Sequence, residues 1–223
     1  MNRLLIKICG VTTAGDAVAA VDAGADAIGL NFYPASSRVI SADRAAEISA
    51  AVGARAWKVG VFVNRPAIEI RELVERCRLD AVQLHGDEPP IELAALAGIT
   101  VIRAFRVAAS LAPAEEYLQA CDAIGALPSM TLVDAAAPGV YGGSGRQVDW
   151  GVVAGRGGLL ARLPLVLAGG LTAQNVAQAI VMARPTGVDV ASGVEESPGK
   201  KSRSRMMAFV TAARRAVSGA TLG

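Results

Sequence analysis

The chain has 223 residues, of which 52% are apolar and 19% charged, with a formal net charge of +2 and a single histidine. That length and composition suit one folded domain over residues 1–223 and exclude a disordered chain. Basic and acidic residues are interspersed, so neither nucleic acid nor an anionic membrane is implied as a partner.

The cysteines Cys9, Cys77 and Cys121 are odd in number and have no CxxC spacing. Together with the lone His85 they match no zinc pattern, so no metal site is expected. The first residues lack the marks of a secretory leader, and no uninterrupted apolar run reaches about 18 residues. A soluble, cytoplasmic protein in a reducing compartment is the expectation.

In chain order, the first element is a strand at Leu4–Cys9, stopped by Gly10. Side chains alternate along it, which puts Leu5, Lys7 and Cys9 on one face and Ile6 and Ile8 on the other. A helix follows over Ala14–Ala23, with Ala14, Ala17, Val18 and Val21 at helical spacing and Gly24 as its stop. Further strands are predicted at Ala27–Phe32, Lys58–Val63, Ala81–Leu84, Thr100–Phe105, Thr131–Asp134, Leu165–Ala168 and Val188–Ala191. Helices are predicted at Ile68–Arg76, at Gln174–Met182 with Thr172 as N-cap, and at Arg205–Val217. Pro113 and Pro128 interrupt the stretch Val107–Met130, where no element is assigned. The cluster Lys200, Lys201, Arg203 and Arg205 reads as a solvated start of the last helix.

Eight short strands alternating with helices, without a long linker, predict a single (β/α)₈ TIM barrel. A doubly wound open sheet is the structural alternative, but no glycine-rich dinucleotide fingerprint follows the first strand. In such a barrel the chemistry lies at the C-terminal strand ends, so polar residues there become the candidates.

Cys9 falls at that rim, with Lys7 two residues away on the same face. A free thiol with a pKa of ~8.5 is only a few per cent ionised at neutral pH. A cation nearby would raise that fraction, whereas a buried structural cysteine is the plainer alternative. The second strand runs into NFYPASSR, whose Arg38 offers a fork for a carboxylate or phosphate unless it is merely solvated. Gln83 and His85 share a face at the end of the fourth strand, and a lone histidine is more often structural than catalytic. Asp134 ends an apolar strand, where a carboxylate is costly unless paired or used. The loop after it, with Gly139, Gly142, Gly143 and Gly145, reads as a lid or a plain linker. Gly169–Gly170 and Ser192–Gly193 follow the seventh and eighth strands, where barrels commonly hold a phosphate.

The segments KICG (7–10), GADAIGLNF with SSR (36–38), VGVFVN (59–64), VQLHG (82–86) and LVDA (132–135) resemble one family. So do GGSG with VDW (142–150), LAGGL (167–171) and ASGVEESPGKK (191–201). That family is phosphoribosylanthranilate isomerase of tryptophan biosynthesis. Departures are Ser37 where proline is frequent, Val148 where phenylalanine is frequent, and Ser202 where aspartate is common.

The resemblance implies rearrangement of N-(5′-phosphoribosyl)anthranilate to 1-(2-carboxyphenylamino)-1-deoxyribulose 5-phosphate, without metal or other cofactor. It implies Cys9 as general base and Asp134 as general acid. It also implies Arg38 on the substrate carboxylate and Gly169, Gly170, Ser192 and Gly193 around the phosphate. The partner is then a small phosphorylated molecule, and the protein a monomer or homodimer. To give a proton to the ring oxygen, Asp134 must hold one at neutral pH, well above the ~3.9 of free aspartate. Gly10 is expected to leave room for substrate above the thiol. Two other readings are the related isomerase of histidine biosynthesis, whose pattern favours aspartate at position 9, and a barrel that binds a phosphorylated metabolite without turnover.

Overall fold

The computed structural model describes residues 3–135 and 148–219. The chain opens with β1 (Leu5–Cys9), α1 (Ala14–Asp22), β2 (Ala27–Asn31), α2 (Ala42–Val52), β3 (Trp57–Phe62) and α3 (Ala67–Cys77). It continues with β4 (Ala81–Leu84), α4 (Pro90–Ala95), β5 (Thr100–Val107), α5 (Ala112–Ala123) and β6 (Met130–Ala135). Then come α6 (Trp150–Ala154), α7 (Gly158–Arg162), β7 (Leu165–Leu167), α8 (Val176–Ala183) and β8 (Gly187–Val190). A 3₁₀ turn at Ser192–Val194, a small hairpin of β9 (Glu195–Ser197) and β10 (Lys200–Lys201), and α9 (Arg203–Gly219) complete the described chain.

Strands β1 to β8 are parallel, neighbour one another in sequence order and close into a barrel through β8 and β1. The predicted architecture is therefore the observed one. The period-2 alternation explains how each strand serves two cores. Ala27, Val59, Ala81, Ile102, Leu132 and Val166 pack together, with Leu5 against them, as the barrel's interior. Ile6 and Ile8 belong to the second core, which includes residues of the flanking helices such as Ala17, Ile48, Ile70 and Phe209. Lys7 has no exposed surface, so β1 does send its lysine inward.

Local chemistry sets the helix starts. The Thr13 hydroxyl accepts from the Asp16 N–H at 3.1 Å, and Ser41 accepts from the Arg44 N–H at 3.2 Å, each satisfying a donor that has no partner inside the helix. Pro113 opens α5 from its first turn instead of interrupting the region, since a proline there gives up an N–H that the helix does not use. Thr172 is not the cap of α8. Asn175 holds that position, and its side-chain oxygen reaches back to the Thr172 N–H at 2.8 Å. The basic segment at 200–205 also departs from expectation. Lys200 is exposed, but the Lys201 side chain is fully buried. Among the described residues, no helix is long and apolar enough to cross a membrane.

Candidate active site

At the C-terminal end of the barrel lies a cleft framed by the strand ends and the loops that follow them. Cys9, Arg38, His85, Asp134, Gly169, Gly170 and Ser192 all line it. They arrive from the ends of β1, β4, β6 and β8 and from the loops after β2 and β7. The fold thus gathers residues up to 183 positions apart in sequence into one concavity. Val61, Val63, Leu171 and Val190 add an apolar lining.

Below the thiol, Lys7 and Asp189 stand opposite each other in the β1–β8 register, and their ion pair closes at 2.8 Å with both side chains buried. Burial alone would draw the Lys7 ammonium towards neutrality, but Asp189 and Cys9 reverse that and keep it charged. For Cys9 the balance goes the other way. Burial is the strongest influence and pushes the thiol above its ordinary value, Asp189 adds to the rise, and the Lys7 and Lys201 cations oppose it. The expected gain in thiolate from Lys7 is therefore real but smaller than the cost of desolvation. At neutral pH Cys9 is therefore mainly a thiol.

Asp134, on β6, is buried and accepts a 2.8 Å hydrogen bond at Oδ1 from the Ala135 N–H. Its Oδ2 faces His85 Nε2 at 3.5 Å. The other ring nitrogen, Nδ1, meets the Gln83 side-chain nitrogen at 3.0 Å. When that amide donates, Nδ1 is the acceptor and the ring proton sits on Nε2, towards Asp134. His85 is consequently part of the site, although its residue type alone suggested a structural role. Asp189 was not singled out from sequence at all. Its signal was the same as that of Asp134, a carboxylate inside an apolar strand.

Arg38 reaches the cleft along a route the sequence did not suggest. Its aliphatic stem lies across Gly10, where a Cβ would stand 2.3 Å from Arg38 Cδ. The position a side chain at Gly10 would take is thus filled by the arginine stem, while Gly10 itself lines the cleft, as expected of a turn that leaves room there. Gly10 also has φ +73°, a conformation costing a side-chain-bearing residue about 1–2 kcal/mol. Gly10→Ala is expected to lower stability by at least that amount in a denaturant titration, and a variant as stable as wild type would contradict the packing of Arg38 on this turn. The guanidinium itself forms a two-pronged pair with Glu195, Nε to Oε1 at 2.8 Å and Nη2 to Oε2 at 2.7 Å. Those hydrogen bonds, before any other influence, hold Arg38 charged. Glu195 engages the Nε–Nη2 edge of the fork and no hydrogen bond among the described residues engages Nη1, while Arg38 lines the cleft.

The two glycine-bearing loops meet differently. Gly169, Gly170 and Ser192 line the cleft. Gly193 does not; a Cβ there would lie 2.0 Å from the Leu171 carbonyl oxygen, so glycine lets the β7 and β8 loops approach. The loop with Gly139, Gly142, Gly143 and Gly145 lies outside the described residues.

A family model for N-(5′-phosphoribosyl)anthranilate (PRA) isomerase matches residues 6–212. A protein of Myxococcus xanthus named N-(5′-phosphoribosyl)anthranilate isomerase is 47% identical over 211 residues, covering 94% of this chain and 95% of its own. The phosphoribosyl anthranilate isomerase structure of Thermotoga maritima superposes with a TM-score of 0.84 at 36% identity, over 96% of this chain and all of that one. A structure of phosphoribosyl anthranilate isomerase in complex with reduced 1-(o-carboxyphenylamino)-1-deoxyribulose 5-phosphate superposes with a TM-score of 0.81 at 36% identity and the same coverage. With a family match across nearly the whole described barrel and relatives well above 30% identity, the chain belongs to the N-(5′-phosphoribosyl)anthranilate isomerase family.

Proposed function

We propose that this protein converts N-(5′-phosphoribosyl)anthranilate to 1-(2-carboxyphenylamino)-1-deoxyribulose 5-phosphate, the isomerase step of tryptophan biosynthesis. The observation that carries the proposal is the convergence of Cys9, Asp134 and Arg38 on one cleft in a chain of this family. A barrel that only binds a metabolite needs neither the thiol nor the carboxyl.

The chemistry follows from the substrate. Protonated Asp134 gives its proton to the furanose oxygen as the bond from that oxygen to sugar carbon 1 breaks. The nitrogen lone pair completes a Schiff base. The positive nitrogen acidifies carbon 2, and the Cys9 thiolate removes that proton to leave an enolamine. A proton then returns to carbon 1 while the carbon 2 hydroxyl gives up its own to become the carbonyl. That second proton replaces the one the acid donated, and the ketosamine forms with no atom gained or lost. His85, hydrogen-bonded to Gln83 and facing Asp134, keeps the acid in place. The apolar lining of Val61, Val63 and Leu171 suits the aromatic ring, Arg38 its carboxylate, and the loops bearing Gly169, Gly170, Ser192 and Gly193 the phosphate. The whole chain acts as one domain on a small phosphorylated substrate in a reducing cytoplasm, as monomer or homodimer.

A strain lacking this isomerase, supplied with the gene, should grow without tryptophan, whereas the Cys9→Ala gene should not restore growth. Failure of the wild-type gene, with soluble protein made, would remove the proposed function.

The thiol's electrostatics add a pH dependence. Because burial raises Cys9 above its ordinary value, the ionised base is scarce at neutral pH and kcat/KM should climb with pH. Lys7→Met removes an opposing cation and leaves the Asp189 carboxylate beside the thiol, and both changes disfavour the thiolate. The rising limb should move further to alkaline pH in the variant. A limb that stays in place or moves to acid would show that Lys7 does not act on the base.

A further inference from the structure

Glu195 and Lys201 lie behind the cleft and do not line it, yet they are among the most buried charges in the protein. They face each other across the β9–β10 hairpin, with side chains 3% and 0% exposed. The Lys201 ammonium has three hydrogens and finds three acceptors: the Cys9 carbonyl at 2.5 Å, the Ala191 carbonyl at 3.1 Å and Glu195 Oε1 at 2.8 Å. Full satisfaction of its donors is what makes a charged lysine tolerable there. The two carbonyls belong to the last residue of β1 and the residue after β8, so Lys201 ties the ends of these neighbouring strands together beside the thiol. Glu195 meanwhile receives both prongs of Arg38.

A buried ion pair contributes little to stability for its desolvation cost and is better understood as fixing a geometry. Here it fixes the one guanidinium that, among the described residues, lines the cleft. Glu195 alone would neutralise Arg38 and repel a second carboxylate brought to the other edge. Lys201 offsets that charge, so the three groups together keep one net positive charge.

We propose that Glu195 and Lys201 are positioning residues, which hold Arg38 over the Gly10 turn with its outer edge towards an aryl carboxylate and keep that edge net cationic. The inference rests on the function proposed above and deepens it by naming what selects the carboxylate. Neither residue touches substrate.

The test is calorimetric titration with two probes, N-aryl ribitol 5-phosphates with and without the ortho carboxylate. Wild-type protein should bind the carboxylate-bearing probe more tightly. Glu195→Gln and Lys201→Met should each lose about tenfold or more of that preference, the scale of one charge-assisted hydrogen bond. Binding of the carboxylate-free probe should fall much less, because neither substitution replaces a residue assigned to the phosphate. In turnover, KM should rise by a similar factor while kcat changes less. Removing one partner of a buried pair can unfold a protein, whereas replacing both is often nearly neutral. The double variant Glu195→Gln with Lys201→Met therefore serves as the folded control and should show the same loss. Folded variants that keep the wild-type preference, or that lose both probes equally, overturn the positioning role. A wild-type protein indifferent to the carboxylate overturns the Arg38 assignment and this inference with it.

Discussion

Cys9→Ala is expected to reduce kcat by about 10²–10⁴-fold, the contribution typical of a positioned acid or base, with KM little changed and the fold intact. The thiol sits at the very end of β1, where its backbone still pairs with β2 after substitution. Its side chain lines the cleft rather than filling the barrel core, so truncation removes few packing contacts. What disappears is the thiol at the cleft that, once ionised, serves as the base towards carbon 2. Loss confined to kcat and kcat/KM would mark an interaction made in the transition state. A variant with near-normal kcat would show that Cys9 is structural.

Asp134→Asn should be comparably damaging. Asparagine is nearly isosteric, and its oxygen can still accept from the Ala135 N–H as Asp134 Oδ1 does at 2.8 Å. The variant should therefore melt within a few degrees of wild type and bind ligand, yet ring opening should be slowed by about 10²–10⁴-fold because an amide cannot supply the proton. Combining it with Cys9→Ala should not multiply the two losses, since base action on carbon 2 has nothing to act on until the ring has opened. Full multiplicativity would argue for two independent steps of similar height, and normal kcat in the single variant would assign the acid elsewhere.

Much of this architecture was legible in the sequence because it is local. Alternation in Leu4–Cys9 separated inward Lys7 from outward Ile6 and Ile8, and the structure buries them on those two faces. The same reasoning placed Asp134 at a strand end. Boundaries slipped by a residue or so at most strands, as where β6 begins at Met130 and ends at Ala135. The errors share another origin, which is distance along the chain. Lys201 bonds to Cys9 across 192 residues and Lys7 to Asp189 across 182. No window of sequence contains either pair, so Lys201 looked like a solvated helix start and Asp189 drew no attention. The Arg38 stem over Gly10 is a contact of the same kind. Cys9 shows a further limit. A neighbouring cation was visible in Lys7, but the burial that outweighs it exists only in the closed barrel. His85 failed on base rates of residue type, and only its 3.5 Å approach to Asp134 brought it into the site.

The most direct measurement follows the fluorescence of freshly formed N-(5′-phosphoribosyl)anthranilate with purified protein in chelator-treated buffer. Wild-type protein should remove the signal at a rate proportional to enzyme concentration, while Cys9→Ala and Asp134→Asn should fall to within reach of spontaneous decay. Wild-type decay no faster than hydrolysis, or variants as fast as wild type, would contradict acid–base isomerisation at this site.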